Sequence, residues 1–220
     1  MKTCYIIGAA EMAAGRFRPG EDDIIIAADA GLLHLARLGI KPDLMLGDFD
    51  SLGYVPSGGN VEVCPVRKDD TDTMAALRRA LDFGCERALI FGGLGGRRFD
   101  HSLANVQALA WAETHGLEAF LVGQGCCLTA LSGGQKLSFE PKYSGDFSVF
   151  CLGAPAGGIC ETGLNYALDN AALEPSFPLG VSNAFTGQRA ELSVHNGLLI
   201  VYWQDDPALP LPVRSRIYFD

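Results

Sequence analysis

The chain has 220 residues, 48% hydrophobic and 20% charged, with a net charge of -9, which places it among ordinary globular proteins with room for one large domain or two small ones. The acidic balance argues against a nucleic-acid partner, because binding a phosphate backbone needs a basic face. No stretch approaches the roughly 18–20 uninterrupted apolar residues of a membrane span, and the short apolar run after Met1 reads as a buried first strand rather than a signal peptide. The seven cysteines are scattered without Cys-x-x-Cys spacing, mostly inside apolar segments. Reduced thiols in a cytoplasmic protein are expected.

In chain order, the first half alternates two patterns. Continuous apolar runs at Cys4 to Ile7, Ile24 to Ala28, Leu44 to Leu46, Val61 to Val66, Ala88 to Phe91 and Ala119 to Val122 predict strands buried on both faces of a parallel sheet. Between them, helical stripes stop at Gly39, Gly84 and Gly116: Leu32 to Leu38, Met74 to Leu81, and Leu103 to His115. From about Gly123 the helical period disappears. Short runs at Cys127 to Leu131, Lys136 to Phe139, Phe147 to Cys151, Gln188 to Val194 and Leu198 to Trp203, punctuated by Gly-Gly, Asn-Gly and proline turns, predict a small antiparallel β-sandwich or barrel. His195-Asn196-Gly197-Leu198 between two apolar runs predicts a hairpin. The expected fold is therefore α/β, with a mostly parallel N-terminal domain over residues 1–124 and an antiparallel β-sandwich over residues 125–220.

Three groups of acidic residues follow predicted strands: Gly47-Asp48-Phe49-Asp50-Ser51, Asp69-Asp70-Thr71-Asp72, and Arg97-Arg98-Phe99-Asp100-His101. Carboxylates this dense repel one another unless a cation lies among them. In an open α/β sheet, ligands bind at the carboxyl ends of the strands. A hard cation such as Mg²⁺, shared with substrate phosphates, fits this pattern and implies phosphoryl or pyrophosphoryl transfer from a nucleotide. Taken singly, each group also has a plain structural reading. Asp48 and Asp50 suit a solvated turn, and Thr71 or Asp72 a helix N-cap. Gly92-Gly93-Leu94-Gly95-Gly96 lets backbone N–H groups approach an anion, and Arg97 and Arg98 can pair with phosphate oxygens. It is neither a P-loop nor a Rossmann fingerprint, which disfavours a dinucleotide-dependent oxidoreductase.

Together these segments resemble the thiamine pyrophosphokinase family. Asp29-Ala30-Gly31 is similar to its Ala-Asp-Gly-Gly segment, and Pro42-Asp43 leading to Gly47-Asp48-Phe49-Asp50-Ser51 to its most recognisable motif. Asp69-Asp70-Thr71-Asp72 resembles its Asp-x-Thr-Asp step, and Gly95 to Asn105 its Gly-Gly-Arg-x-Asp-His-x-Leu-Ala-Asn segment. Gly163-Leu164-Asn165-Tyr166-Ala167-Leu168 and Val181-Ser182-Asn183 resemble its thiamine-side motifs. The resemblance implies an ATP- and Mg²⁺-binding domain, a thiamine-binding domain, and a homodimer with the vitamin pocket near the subunit interface. It implies transfer of the β,γ-pyrophosphoryl group of ATP to the thiamine hydroxyl, releasing AMP. By position, Asp48, Asp50, Asp72 and Asp100 would hold metal and act in catalysis. Asp29, Ser51, Arg97, Arg98 and His101 would face the nucleotide, and Tyr166, Ser182 and Asn183 the vitamin. Three positions depart from the family pattern. Ala30 stands for glycine, Met74 for a common acidic residue, and one extra residue separates the glycines from Asp100, so Arg97 and Arg98 both qualify as its arginine. Rival readings are a pyrophosphokinase for another alcohol, such as a hydroxymethyl pterin, and a non-catalytic vitamin or nucleotide sensor.

Overall fold

The computed structural model describes residues 1–65, 70–96 and 98–217, and the chain divides into two units, Met1–Gln124 and Gly125–Asp220. In the first, six strands form a parallel array in the order β6-β5-β1-β2-β3-β4. They are β1 (Thr3–Ile7), β2 (Ile24–Ala28), β3 (Leu44–Gly47), β4 (Val61–Val63), β5 (Arg87–Phe91) and β6 (Glu118–Gly123). The apolar runs of the inner strands are largely buried on both faces, as in β1, where all five residues are buried, whereas edge strand β4 leaves Val63 exposed. Helices α1 (Leu32–Arg37), α2 (Asp72–Asp82) and α3 (Phe99–Thr114) make the crossovers, with α2 packed on β1, β2 and β3 and α3 on β6.

Two boundaries differ from expectation. Strand β4 ends at Val63, and Val66 lies outside the described residues. Helix α3 starts at Phe99 rather than Leu103. Its first turn is exposed, with Phe99 at 72% and Leu103 at 55%, so no apolar stripe marks it in the sequence.

The strand order positions the site. From β1 the chain steps outward to β4, then returns past β1 to β5 and β6, so the loops after β1 and β5 leave in opposite directions and open a crevice at the carboxyl edge. The two loops touch there: Gly8 N donates to Phe91 O (2.7 Å) and Ala10 N to Gly92 O (2.9 Å). Gly92 has φ +63, and a Cβ on it would stand 2.4 Å from Gly8 O. Any side chain would push the loops apart.

Among its described residues the second unit holds nine strands: β7 (Cys126–Ser132), β8 (Gln135–Phe139), β9 (Asp146–Cys151), β10 (Ala156–Thr162), β11 (Ala171–Leu173), β12 (Asn183–Ala184), β13 (Ala190–Val194), β14 (Leu198–Gln204) and β15 (Val213–Arg216). They form two antiparallel layers, β12-β9-β14-β7 and β11-β10-β13-β8-β15. Phe139 lies at the centre of an aromatic core, with ring centroids 5.2–5.7 Å from those of Tyr143, Phe147, Phe185 and Trp203. Trp203 is wholly buried and its Nε1 donates to Asp205 Oδ1 (3.1 Å), so it is a packing residue.

The hairpin expected at His195 to Leu198 does not form. Strand β13 pairs with β8 and β10, whereas β14 pairs with β7 and β9. Leu192, Val194, Leu199 and Val201 are all fully buried. The chain changes layers at Asn196-Gly197, and strands of both layers bury apolar residues. The turn is held instead by β10, where Gly157 N donates to Asn196 O (3.1 Å). Strand β10 itself escapes sequence reading because its Ala-Gly-Gly start carries little strand signal.

Candidate active site

Strand β2 ends in a turn, Asp29–Gly31, in which Asp29 has φ +48. A Cβ on Gly31 would stand 1.8 Å from Ile7 O, so the turn lies flat against the end of β1. Strand β3 ends at Gly47 and the chain then reverses through Phe49, whose φ is +58. A left-handed conformation is unfavourable for a bulky residue. It is held because the Phe49 ring is 2% exposed, anchored in the core, and this places the flanking Asp48 and Asp50 on the outer side. Strain of this kind gathers at functional sites.

The result is a carboxylate cluster. Oxygens of Asp29, Asp48 and Asp50 all lie within 4.8 Å of one another. Asp50 N donates to Asp48 Oδ1 (3.2 Å), and Ser51 Oγ donates to Asp50 Oδ1 (3.1 Å). Asp29 Oδ1 is buried and has no hydrogen-bond partner. Burial pushes the Asp29 carboxyl up, hydrogen bonds from Ser51 and the Ala30 backbone pull it down, and the charges of Asp72 and Asp50 push it up again. An orphaned buried oxygen facing two other carboxylates suits a hard cation, whose ligands are oxygens.

Asp72 occupies the first turn of α2, capped by Thr71, whose Oγ1 accepts from Met74 N (3.2 Å). The capping reading therefore holds for Thr71, and Asp72 acts on Asp29 through its charge. Asp100 is exposed on the first turn of α3 and is gripped by Arg98, with Nη2 2.6 Å from Oδ2 and Nε 3.0 Å from Oδ1. The Arg98 guanidinium holds the Asp100 carboxyl down at about 2. Neither Asp72 nor Asp100 belongs to the three-carboxylate group. The arrangement thus joins Asp48 and Asp50 to Asp29, which the sequence suggests as a nucleotide contact rather than a metal ligand. The signal was available: like Asp48, Asp29 directly follows an apolar strand.

The glycine loop after β5 is tied to α3. Asn105 Nδ2 donates to Gly93 O (2.8 Å) and Gly95 N to Ser102 Oγ (3.0 Å). Both side chains are buried, and both hold the loop in shape beside the crevice. His34 ties α1 to the loop after β1, with Nε2 2.8 Å from Ala10 O. His101 is exposed on α3, with its N–H donating to Arg98 O (3.2 Å). Arg97, with Lys68 and Asp69, lies outside the described residues.

In the second unit, Tyr166 is 71% exposed and its backbone N donates to Asn183 Oδ1 (3.0 Å). Ser182 has φ +66 and its N donates to Ser148 Oγ (3.2 Å). Asn183 is 7% exposed and fully engaged: Nδ2 donates to Glu161 Oε2 (2.8 Å) and Tyr166 O (2.6 Å), and Oδ1 accepts from Tyr166 N and Ala184 N. Its amide has no spare donor for a ligand. Glu161, beneath it, is a residue sequence reading does not single out.

The profile described as "Thiamin pyrophosphokinase, catalytic domain" matches residues 20–121, which include the three clustered aspartates, and "Thiamin pyrophosphokinase, vitamin B1 binding domain" matches residues 136–199. The chain belongs to the thiamine pyrophosphokinase family. It is 27% identical over 192 residues to the thiamine pyrophosphokinase of Bacillus subtilis, covering 84% of this chain and 89% of that protein. Two solved structures share the fold. A thiamin pyrophosphokinase from Geobacillus thermodenitrificans superposes with a TM-score of 0.78 at 24% identity, covering 94% of this chain and 100% of the other. A thiamin pyrophosphokinase family protein from Enterococcus faecalis gives 0.76 at 25% identity, with the same coverage. Membership of this family makes the chain a transferase of thiamine metabolism. Among the described residues, no helix is long and apolar enough to cross a membrane.

Proposed function

We propose that this chain transfers the β,γ-pyrophosphoryl group of ATP to the hydroxyl of thiamine, giving thiamine diphosphate and AMP. The observation that carries the proposal is the Asp29, Asp48 and Asp50 cluster at the carboxyl edge of a parallel sheet, within a chain whose two halves match the catalytic and vitamin-binding profiles. The thiamine hydroxyl oxygen attacks the β-phosphorus and releases its proton to solvent, the bond from that phosphorus to the α-phosphate oxygen breaks, and AMP departs with the electron pair. Asp29, Asp48 and Asp50 would hold Mg²⁺, with Asp72 adding negative charge from α2. Bound there, the cation supplies neutralisation of the phosphate charge.

The remaining roles follow from position. Ser51 orients the Asp50 carboxylate. Arg98 and His101 would contact the phosphates, joined by Arg97 on the strength of the motif alone, and backbone N–H groups of the glycine loop favour the developing charge on AMP. Asp100, held at about 2 by Arg98, is a poor proton acceptor, and its part is to orient that arginine. Tyr166 and Ser182 contact the vitamin. The first unit is thus the ATP and Mg²⁺ domain and the second the thiamine domain of a cytoplasmic homodimer.

The test is AMP release from ATP and Mg²⁺ by the purified protein, with and without thiamine. AMP that appears only with thiamine, together with thiamine diphosphate, supports the assignment. Thiamine binding without AMP would replace it with a sensor, and failure of both would turn the search to another alcohol.

A further inference from the structure

Glu161 is 2% exposed on β10. Its cross-strand partner is Leu192, itself fully buried, so the carboxyl lies on the apolar side of its layer. Oε2 accepts from Asn183 Nδ2, while Oε1 is buried with no hydrogen-bond partner. An acid in such a place is unfavourable unless it serves something.

What it serves is visible in the contacts above it. The loop from Gly163 to Leu168 is lashed to the 183–186 segment by Asn165 N to Ala184 O (2.9 Å), Thr186 Oγ1 and N to Gly163 O (2.8 and 3.4 Å), and both backbone groups of Tyr166 to the Asn183 amide. Glu161 N closes the loop's far end on Leu168 O (2.9 Å). Asn183 is the knot, and Glu161 accepts from the same Nδ2 edge that donates to Tyr166 O, so it reinforces the amide orientation that the Tyr166 backbone requires. A flipped amide would meet Tyr166 O with an oxygen and Tyr166 N with a donor.

We propose that Glu161 is a positioning residue for the vitamin subsite, acting through the Asn183 amide to fix exposed Tyr166 and the neighbouring Ser182 in their binding geometry. The proposal rests on the thiamine reading above. Burial raises the Glu161 carboxyl to about 7, with the Asn183 bond pulling the other way. Charged groups on the packed elements lie elsewhere. Glu191 on β13 pairs with Thr162, on the opposite side of the layer, and is held by Lys136 and Arg189. Asp146 on β9, opposite Ala184, is exposed, as is Asp169.

The experiment compares wild type, Glu161→Gln and Glu161→Ala by steady-state kinetics from pH 5.5 to about 8.5, spanning this transition, with hydrogen exchange at the Tyr166 amide. Glu161→Ala is expected to raise KM for thiamine about tenfold, the effect of one buried hydrogen bond, with kcat and KM for ATP unchanged and Tyr166 exchanging faster. Glu161→Gln keeps an acceptor for Asn183, so it should restore thiamine KM and remove the pH dependence that wild-type KM shows near 7. Equal rises in both KM values, or a glutamine variant as impaired as the alanine one, would reduce Glu161 to general stability and overturn the proposal. Unchanged thiamine KM in Glu161→Ala would do the same. Wild-type protein that makes no AMP with thiamine would overturn the pyrophosphokinase reading itself, an outcome visible before any variant is made.

Discussion

Gly47 lies against Asp29 so closely that a Cβ on Gly47 would stand 3.1 Å from the Asp29 Cα and 3.2 Å from its N. The ends of β2 and β3 are therefore drawn together by a missing side chain, and this contact lets carboxylates from two loops share one cluster. With φ +149, Gly47 also has a backbone that other residues adopt with strain. Gly47→Ala is expected to cost roughly 1–3 kcal/mol of stability. By displacing Asp29 it should also raise the Mg²⁺ concentration giving half-maximal activity. Thermal melts and a metal titration of turnover check both, and an alanine variant with unchanged metal demand would show that the contact does not set the cluster.

Asp29 has an orphaned oxygen and repelling neighbours, so in metal-free protein its charge opposes folding. Its raised pKa means that its contribution to stability is complete below its ordinary 3.8 and is lost as pH rises through the folded value. Asp29→Asn should therefore raise the metal-free melting temperature at neutral pH. It should also reduce the further rise that Mg²⁺ produces, because binding to the native state alone is what stabilises it. Scanning calorimetry with and without the ion distinguishes this from a purely structural aspartate, whose loss would lower both.

Asp48→Asn and Asp50→Asn remove charge with almost no change of shape, and neither carboxylate is fully buried. Turnover should fall by at least about a hundredfold if each stabilises transition-state charge through the ion, while circular dichroism and melting stay close to wild type. Near-wild-type rates in both variants would remove the cation from the proposed site.

Glu161 makes a prediction about pH and stability that needs no substrate. Its carboxyl moves from an ordinary 4.5 in the unfolded chain to about 7 in the fold. Below 4.5 both states carry the proton and the contribution is whole. Between these values the unfolded chain has released its proton and the folded one has not, so stability falls as pH rises, by on the order of 3 kcal/mol at pH 8. Denaturant unfolding of wild type and Glu161→Gln should give curves whose difference follows this slope, with glutamine the more stable at pH 8. Parallel curves would show that the acid is not perturbed.

Much of the first unit was legible from its residues. Six apolar runs and three stripes ending at glycine carry the periods of strand and helix directly, and aspartates just after strands mark the carboxyl edge where the carboxylate cluster lies. The first turn of α3 was not legible, because Phe99 and Leu103 are exposed and leave no stripe. In the second unit the Asn196-Gly197 turn misled. A two-residue turn specifies a reversal of direction, and it says nothing about whether the next strand pairs beside the last or crosses to the facing layer.

What the chain determined by itself is local: periodicity, turn chemistry, and the carboxylates that precede helices or follow strands. The tertiary structure decided which carboxylates meet. Asp29 joined Asp48 and Asp50 because a parallel order sets β2 beside β3, and bare glycine Cα atoms let the strand ends touch. Asp100 was instead taken by Arg98, two residues away. The structure also buried Glu161 under Asn183, a pairing across 22 residues. Burial and long-range contact are properties of packing, and no short window of sequence contains them.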